Sequence, residues 1–310
     1  MSFMTRRELL GCAALGAAAA RGLRAEGGFN AVSANHFEYL TKDYRKIRDW
    51  YVDLFGMTVS LDDGRQAYCW FGDTIFIPRA PRGGEVGTIG HVGYTVEPYN
   101  HEAVKAELKR RGLTEVSSSG GPLQPPRPGA PPSPIANLNV HIKDTEGFLV
   151  QICSRDLVKK PADTGKVSAF KAIGVNHISY ASADYDKARA FYSDLFNMRV
   201  TVNDGRQAYC RFGDAVFLPR RRNGNERTPY IDHIAYTIED YDHEKVKAEL
   251  KKRGLEEVGP TGGPLQPPRP GTPPSPIASL SVHIKDPDGF LVQICSKDIT
   301  NNAEKNPPEH

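Results

Sequence analysis

The chain is written twice. "HIKDTEGFLVQICS" at 141–154 returns as "HIKDPDGFLVQICS" at 283–296, and "DDGRQAYCWFGD" at 62–73 returns as "NDGRQAYCRFGD" at 203–214. His36 superposes on His177 at a shift of 141 residues, and His91 on His233 at 142. One single-residue indel therefore relates the halves. A period this long is no solenoid repeat. It requires one domain fold made twice, over 31–155 and 173–297, joined by a polar linker at 156–172 and followed by a polar tail at 298–310.

Each copy reads as alternating strands around two helices. "NHISYAS" suits a strand, and "DYDKARAFYSDLF" has helical spacing with Asp184 near its start. "MRVTVND", "RQAYCRFG" and "AVFLPR" are three short strands cut by turn residues. The order then restarts with strand "DHIAYTIE" and helix "HEKVKAELKKRGL", which Gly254 stops. "EEVG", "SLSVHIKD" and "FLVQICS" complete three more strands. The expected class is α+β, built from βαβββ modules, two per half and four in all.

The first residues, "MSFMTRRELLGCAALGAAAARGLRA", place Arg6 and Arg7 before a short Ala-rich run and small residues near Ala25. That layout predicts a twin-arginine export signal over 1–25 and a periplasmic or secreted protein. The run is too short and too rich in alanine to predict a stable membrane span. The chain has 40 Lys and Arg against 37 Asp and Glu, and the signal segment holds four of the arginines and one glutamate. What remains is charge-balanced, which argues against nucleic acid as a partner. Cys69, Cys153, Cys210 and Cys295 lie in apolar alternating stretches and are expected as buried free thiols.

This element order, with a His opening the first and fifth strands of each half and a "DPDGFLVQ" hairpin ending the eighth, resembles the vicinal oxygen chelate superfamily. That superfamily includes glyoxalase I, the bleomycin-resistance proteins and the extradiol dioxygenases. The pattern "HIAYTIEDYD…LKKRGL…HIKDPDGFLVQ" carries the resemblance, which covers nearly the whole chain after the signal. It implies two glyoxalase-like cups of curled sheet, each with a divalent metal (Fe, Mn, Zn or Ni) on its concave floor, and a small-molecule substrate with vicinal oxygens. The implied ligands are His36, His91 and Gln151 in the first cup and His177, His233 and Gln293 in the second. Strand alternation agrees in placing His36, His91 and Gln151 each on one face of its strand.

The chain departs from that pattern by placing Gln where the superfamily usually has Glu. A neutral amide oxygen binds a hard cation more weakly than a carboxylate and cannot take a proton from carbon. His141 and His283 stand where extradiol dioxygenases keep a tyrosine beside the metal, and are the candidate proton-transfer residues. The Pro-rich inserts "GGPLQPPRPGAPPSPIAN" and "GGPLQPPRPGTPPSPIAS" are expected at the mouths of the cups, where Arg127 and Arg269 would meet a substrate carboxylate. Tyr68 and Tyr209 either line the cup walls or serve cross-strand packing. Three functions compete: a metal-dependent ring-cleaving dioxygenase, lyase or isomerase; a metal-free binding or sequestration protein of the bleomycin-resistance type; and a scaffold in which one copy works. The oligomeric state is not legible.

Overall fold

The computed structural model describes residues 28–305 apart from 82–84, 126–128, 130, 132, 163, 165–166, 223–226, 268–274 and 276. The expected signal over 1–25 and both insert arginines, Arg127 and Arg269, lie outside the described residues. The first half runs β1 (Ala31–Leu40), α1 (Tyr44–Phe55), β2 (Thr58–Asp62), β3 (Ala67–Phe71), β4 (Thr74–Arg79), β5 (Thr88–Val96), α2 (His101–Arg110), β6 (Asn139–Lys143) and β7 (Leu149–Cys153). The second runs β8 (Ala172–Ser182), α3 (Tyr185–Leu195), β9 (Arg199–Asn203), β10 (Ala208–Phe212), β11 (Ala215–Arg221), β12 (Tyr230–Ile238), α4 (His243–Lys252), β13 (Ser281–Lys285) and β14 (Leu291–Cys295). A last helix, α5 (Ile299–Lys305), follows.

Each half is one mixed seven-stranded sheet, ordered β2-β3-β4-β1-β5-β7-β6 and β13-β14-β12-β8-β11-β10-β9. The two modules of a half join where β1 runs antiparallel to β5, and β8 to β12. The expected sixth strand of each half is reduced to bridges at a single residue, Val116 to His141, and Val258 to His283 and Pro264. The Gly- and Pro-rich segments that follow these valines supply little side-chain packing and few donors for a ladder. "FLVQICS" is thus the seventh strand of its half.

Caps fix the helices. Asp43 and Asp184 accept from the amides of Lys46 and Lys187 at the starts of α1 and α3. Asn100 and Asp242 do the same for α2 and α4. One face of each sheet packs with these helices into a single core that runs through both halves. Tyr236 of the second half stacks on Phe55 of the first at 4.8 Å, and Tyr94 of the first lies 4.9 Å from Phe196 of the second. Ion pairs Arg111–Asp194 and Arg253–Asp53 join the halves at equivalent places.

The repeated acidic hairpins clamp this interface. Asp144 is buried and accepts from the hydroxyls of Tyr180 (2.6 Å) and Tyr192 (3.1 Å) of the other half. Asp286 accepts from Tyr51 across the same interface at 3.2 Å. Described residues of the segments expected as linker and tail also pack on the cups. Val158 packs on the first cup, and Ile299, Thr300 and Ala303 of α5 are buried on the second.

Candidate metal centre

The site begins with strand alternation. On β1, Phe37 and Tyr39 turn into the shared core, so His36 and Glu38 face the other side of the sheet. Gly93 on β5 pairs with His36 on one side and Gln151 of β7 on the other. With no side chain between them, the His36 ring leans across the glycine. A Cβ there would stand 2.5 Å from His36 Cε1. In the second half the same row is His177, Ala235 and Gln293, again with a small residue in the middle.

The paired histidines meet nitrogen to nitrogen. His36 Nε2 lies 2.9 Å from His91 Nε2, and His177 Nε2 lies 3.0 Å from His233 Nε2. All four rings are buried. Gln151 pairs across the strands with His141 and lies across Gly93 from His36, and Gln293 pairs with His283 and lies across Ala235 from His177. His141 lies edge-on to His91 at 5.7 Å between ring centres, and His283 to His233 at 5.8 Å. The three side chains expected to converge in each cup, and the fourth expected beside them, therefore form one cluster.

The groups behind the rings decide which nitrogens carry protons. Asn35 Nδ2 donates to Thr95 Oγ1 (3.0 Å) and to the Ser154 carbonyl (3.5 Å), which turns its Oδ1 toward His36 Nδ1 at 2.8 Å. His91 Nδ1 faces Glu38 Oε2 at 3.0 Å. Both acceptors favour an N–H at Nδ1, which leaves Nε2 of each ring as the atom turned toward the other ring. Burial, then the neighbouring His91 and His141, hold His36 well below the ordinary imidazole range, so it stays neutral. In the second cup Asn176 Oδ1 backs His177 Nδ1 at 3.0 Å, and Asp232 Oδ2 stands 3.4 Å from His233 Nδ1.

Two imidazole nitrogens this close share one N–H···N hydrogen bond, or both turn to a common cation. Imidazole ligands at about 2.0–2.1 Å and at right angles around one ion have nitrogens about 2.9 Å apart. The donor set therefore fits a divalent ion, with two imidazoles and an amide oxygen. Among the described residues no group of three or more His, Cys, Asp or Glu is arranged to hold a metal. The third donor is available only as the amide of Gln151 or Gln293.

Electrostatics separates the carboxylates from the second pair of histidines. Burial raises the Glu38 carboxyl, but the His91 hydrogen bond and charge together with Arg79 outweigh it and hold it at about 2. Arg79 reaches Glu38 Oε1 at 2.7 Å, and Arg220 reaches Asp232 Oδ2 at 2.6 Å. Burial, then His91, lowers His141 to about 4, and burial with His233 lowers His283 to about 3. Sequence reading expects these two to titrate near neutrality. Half-buried beside another imidazole, both are neutral there.

The cup walls differ. In the first, Trp70, Ile75 and Ile77 form an apolar cluster with Tyr68 against it, and Val158 covers it. In the second, Tyr209, Val216 and Leu218 pack under Ala303 of α5. Tyr68 and Tyr209 are thus packing residues of the wall. The second cup has Arg211 where the first has Trp70, and Glu304 of α5 holds its guanidinium at 2.6 Å. A cleft of about 490 Å³ opens beside the first cup, where Glu38, Arg79 and Lys143 meet Arg227 and Tyr230 of the other half. All four described cysteines are free and buried.

The sequence model of the Glyoxalase/Bleomycin resistance protein/Dioxygenase superfamily matches residues 174–294. Those residues are a domain of this superfamily. The first half repeats its motifs and its strand order, so the chain is a tandem of superfamily folds. Among solved structures, homoprotocatechuate 2,3-dioxygenase from Arthrobacter globiformis is similar over 88% of this chain and 81% of its own, at TM-score 0.62 and 18% identity. A Mn(II)-bound glyoxalase from Novosphingobium aromaticivorans is similar over 87% of this chain and 83% of its own, at TM-score 0.62 and 16% identity. A variant of the Brevibacterium fuscum homoprotocatechuate 2,3-dioxygenase covers 88% of this chain and 73% of its own, at TM-score 0.62 and 18% identity. At these identities the likeness is one of fold. No curated protein sequence matches the chain significantly. Among the described residues no helix is long and apolar enough to cross a membrane.

Sequence reading missed the groups behind the histidines. Asn35 and Asn176 each precede a site histidine, in "ANHFEY" and "VNHISY", so the repeat alone could have found them. Glu38 and Asp232 occupy different places in the repeat and leave no such trace.

Proposed function

We propose that the protein is a divalent-metal-dependent enzyme acting on a small molecule with vicinal oxygens, by ring-cleaving dioxygenase or lyase/isomerase chemistry. His36, His91 and Gln151 would hold the ion in one cup, and His177, His233 and Gln293 in the other. The observation that carries this reading is the meeting of two buried imidazole Nε2 atoms at 2.9 Å in one cup and 3.0 Å in the other. A bound divalent ion supplies Lewis acidity, drawing in two neighbouring oxygens and favouring loss of their protons.

The protein's own residues define the rest. With only three protein donors, the site leaves room for a substrate to present two oxygens. Gln151 and Gln293 orient without accepting a proton. Neutral His141 and His283 accept a substrate hydroxyl proton at a ring nitrogen, next to the amide they pair with across the strands. Trp70, Ile75 and Ile77 exclude water on one side, which suits an aromatic or otherwise flat apolar substrate in the first cup. Export through the 1–25 segment belongs to the same proposal and predicts a mature chain cut near Ala25.

A metal-free sequestration protein is the competing reading, favoured by the neutral amide in the place of a carboxylate. Protein loaded anaerobically with Fe(II) or Mn(II) and offered catechols, then α-hydroxyketones, separates the two. The proposal expects turnover that is lost in the His36→Ala, His177→Ala double variant. Ligand binding that needs no metal and survives that double variant would overturn it.

A further inference from the structure

The two cups place a carboxylate behind the same histidine from different strands. In the first, Glu38 on β1 reaches His91 Nδ1 at 3.0 Å and Arg79 at 2.7 Å. Its counterpart in the second cup is Ser179, which is buried and carries no charge. There the carboxylate comes from Asp232 on β12, which stands 3.4 Å from His233 Nδ1 and 2.6 Å from Arg220. The counterpart of Asp232 in the first cup is Gly90. Arg79 and Arg220 are themselves counterparts. Histidine and arginine have stayed in place while the acid between them has changed strands.

The two arrangements exclude one another. A Cβ added at Gly90 would stand 2.5 Å from Glu38 Oε2, so the Glu38 carboxylate fills the space in which the Asp232 side chain begins. Core packing alone does not call for this. A buried carboxylate is costly unless paired, and an apolar residue would fill either place without that cost. What both solutions preserve is a carboxylate beside Nδ1, at 3.0 Å in the first cup and 3.4 Å in the second, and an arginine paired with it.

We infer that Glu38 and Asp232 are interchangeable positioning residues. Each fixes its histidine as the Nδ1–H tautomer and turns the Nε2 lone pair into the cup, so that both cups remain competent to bind an ion. This deepens the proposed metal function and rests on it. The effect on affinity expected for a group behind a metal-binding histidine is about 10- to 100-fold.

The test uses the His177→Ala chain, in which only the first cup is intact, and Mn(II) alone as the probe. Glu38→Ser is expected to weaken Mn(II) binding about 10- to 100-fold. Adding Gly90→Asp to Glu38→Ser, which copies the second cup, is expected to restore it to within about threefold. In the metal-free chains, ¹⁵N NMR of the ring is expected to show His91 as the Nδ1–H tautomer in the parent. That tautomer is expected to be lost in Glu38→Ser and regained in the relocated double variant. Unchanged affinity and tautomer in Glu38→Ser would overturn the inference, as would a folded double variant that regains neither. If the parent binds no Mn(II), the metal function fails, and the tautomer measurement still decides the positioning role.

Discussion

At the scale of single residues, chemistry turns on the amide at Gln151 and Gln293. In the proposed site it would give an ion a neutral third donor, trading affinity for an undiminished positive charge. Gln151→Glu supplies a full negative charge in nearly the same volume. It is expected to tighten Mn(II) binding about tenfold or more, measured by chelator competition in the His177→Ala background. Unchanged or weaker binding would show that this side chain does not face the ion. His36, His91 and Gln151 were singled out by the family resemblance, with which the repeat and strand alternation agree. Glu38 and Asp232 were not, since aligning the halves sets each against a residue of another kind.

At the scale of elements, the strands were readable wherever apolar and polar residues alternate, as in "HIAYTI" and "LVQIC". The expected strands at Val116 and Val258 failed because glycines and prolines follow within a few residues. Helix α5 was read as polar tail. Its buried face is Ile299, Thr300 and Ala303, too few positions to give a periodic signal. The element's hold on the second cup rests on this small apolar contact and on Glu304, which reaches Arg211 at 2.6 Å and Thr201 at 2.7 Å. Removing a charged acceptor of this kind costs about 1–3 kcal/mol. Glu304→Ala is therefore expected to speed amide hydrogen exchange in 299–305 while leaving the β8 amides unchanged. Equal exchange in both proteins would show that the apolar contact alone holds the helix.

At the scale of the whole molecule, the duplication itself announced two domains, but not the core they share. Nothing local in "DTEG" or "DPDG" shows that the Asp enters the other half. Burial pushes the Asp286 carboxyl from 3.8 up to about 6, although the Tyr39 and Tyr51 hydroxyls and the hairpin amides stand near it. The folded protein thus holds this proton more tightly than the unfolded chain. The resulting stability is present in full below about pH 3.8 and is lost as pH rises through about 6. Asp286→Asn keeps an acceptor for the amides of Asp288 and Phe290 and offers Tyr51 a donor, as the protonated acid does. It is expected to be more stable than the parent at pH 7.5 by about 1–3 kcal/mol. The gap should close as pH falls from 6 to 4, followed by urea unfolding across that range. A gap independent of pH would mean that Asp286 is already protonated, or is not buried, at neutrality.

The central claim is that facing imidazoles in each half bind one ion. Crystals grown with Mn(II) and measured at an energy where manganese scatters anomalously test it directly. The account predicts two anomalous peaks, one bonded to His36 and His91 Nε2 with Gln151 beside it, the other to His177 and His233 Nε2 with Gln293. A map with no peak between either pair, at saturating Mn(II), would contradict it.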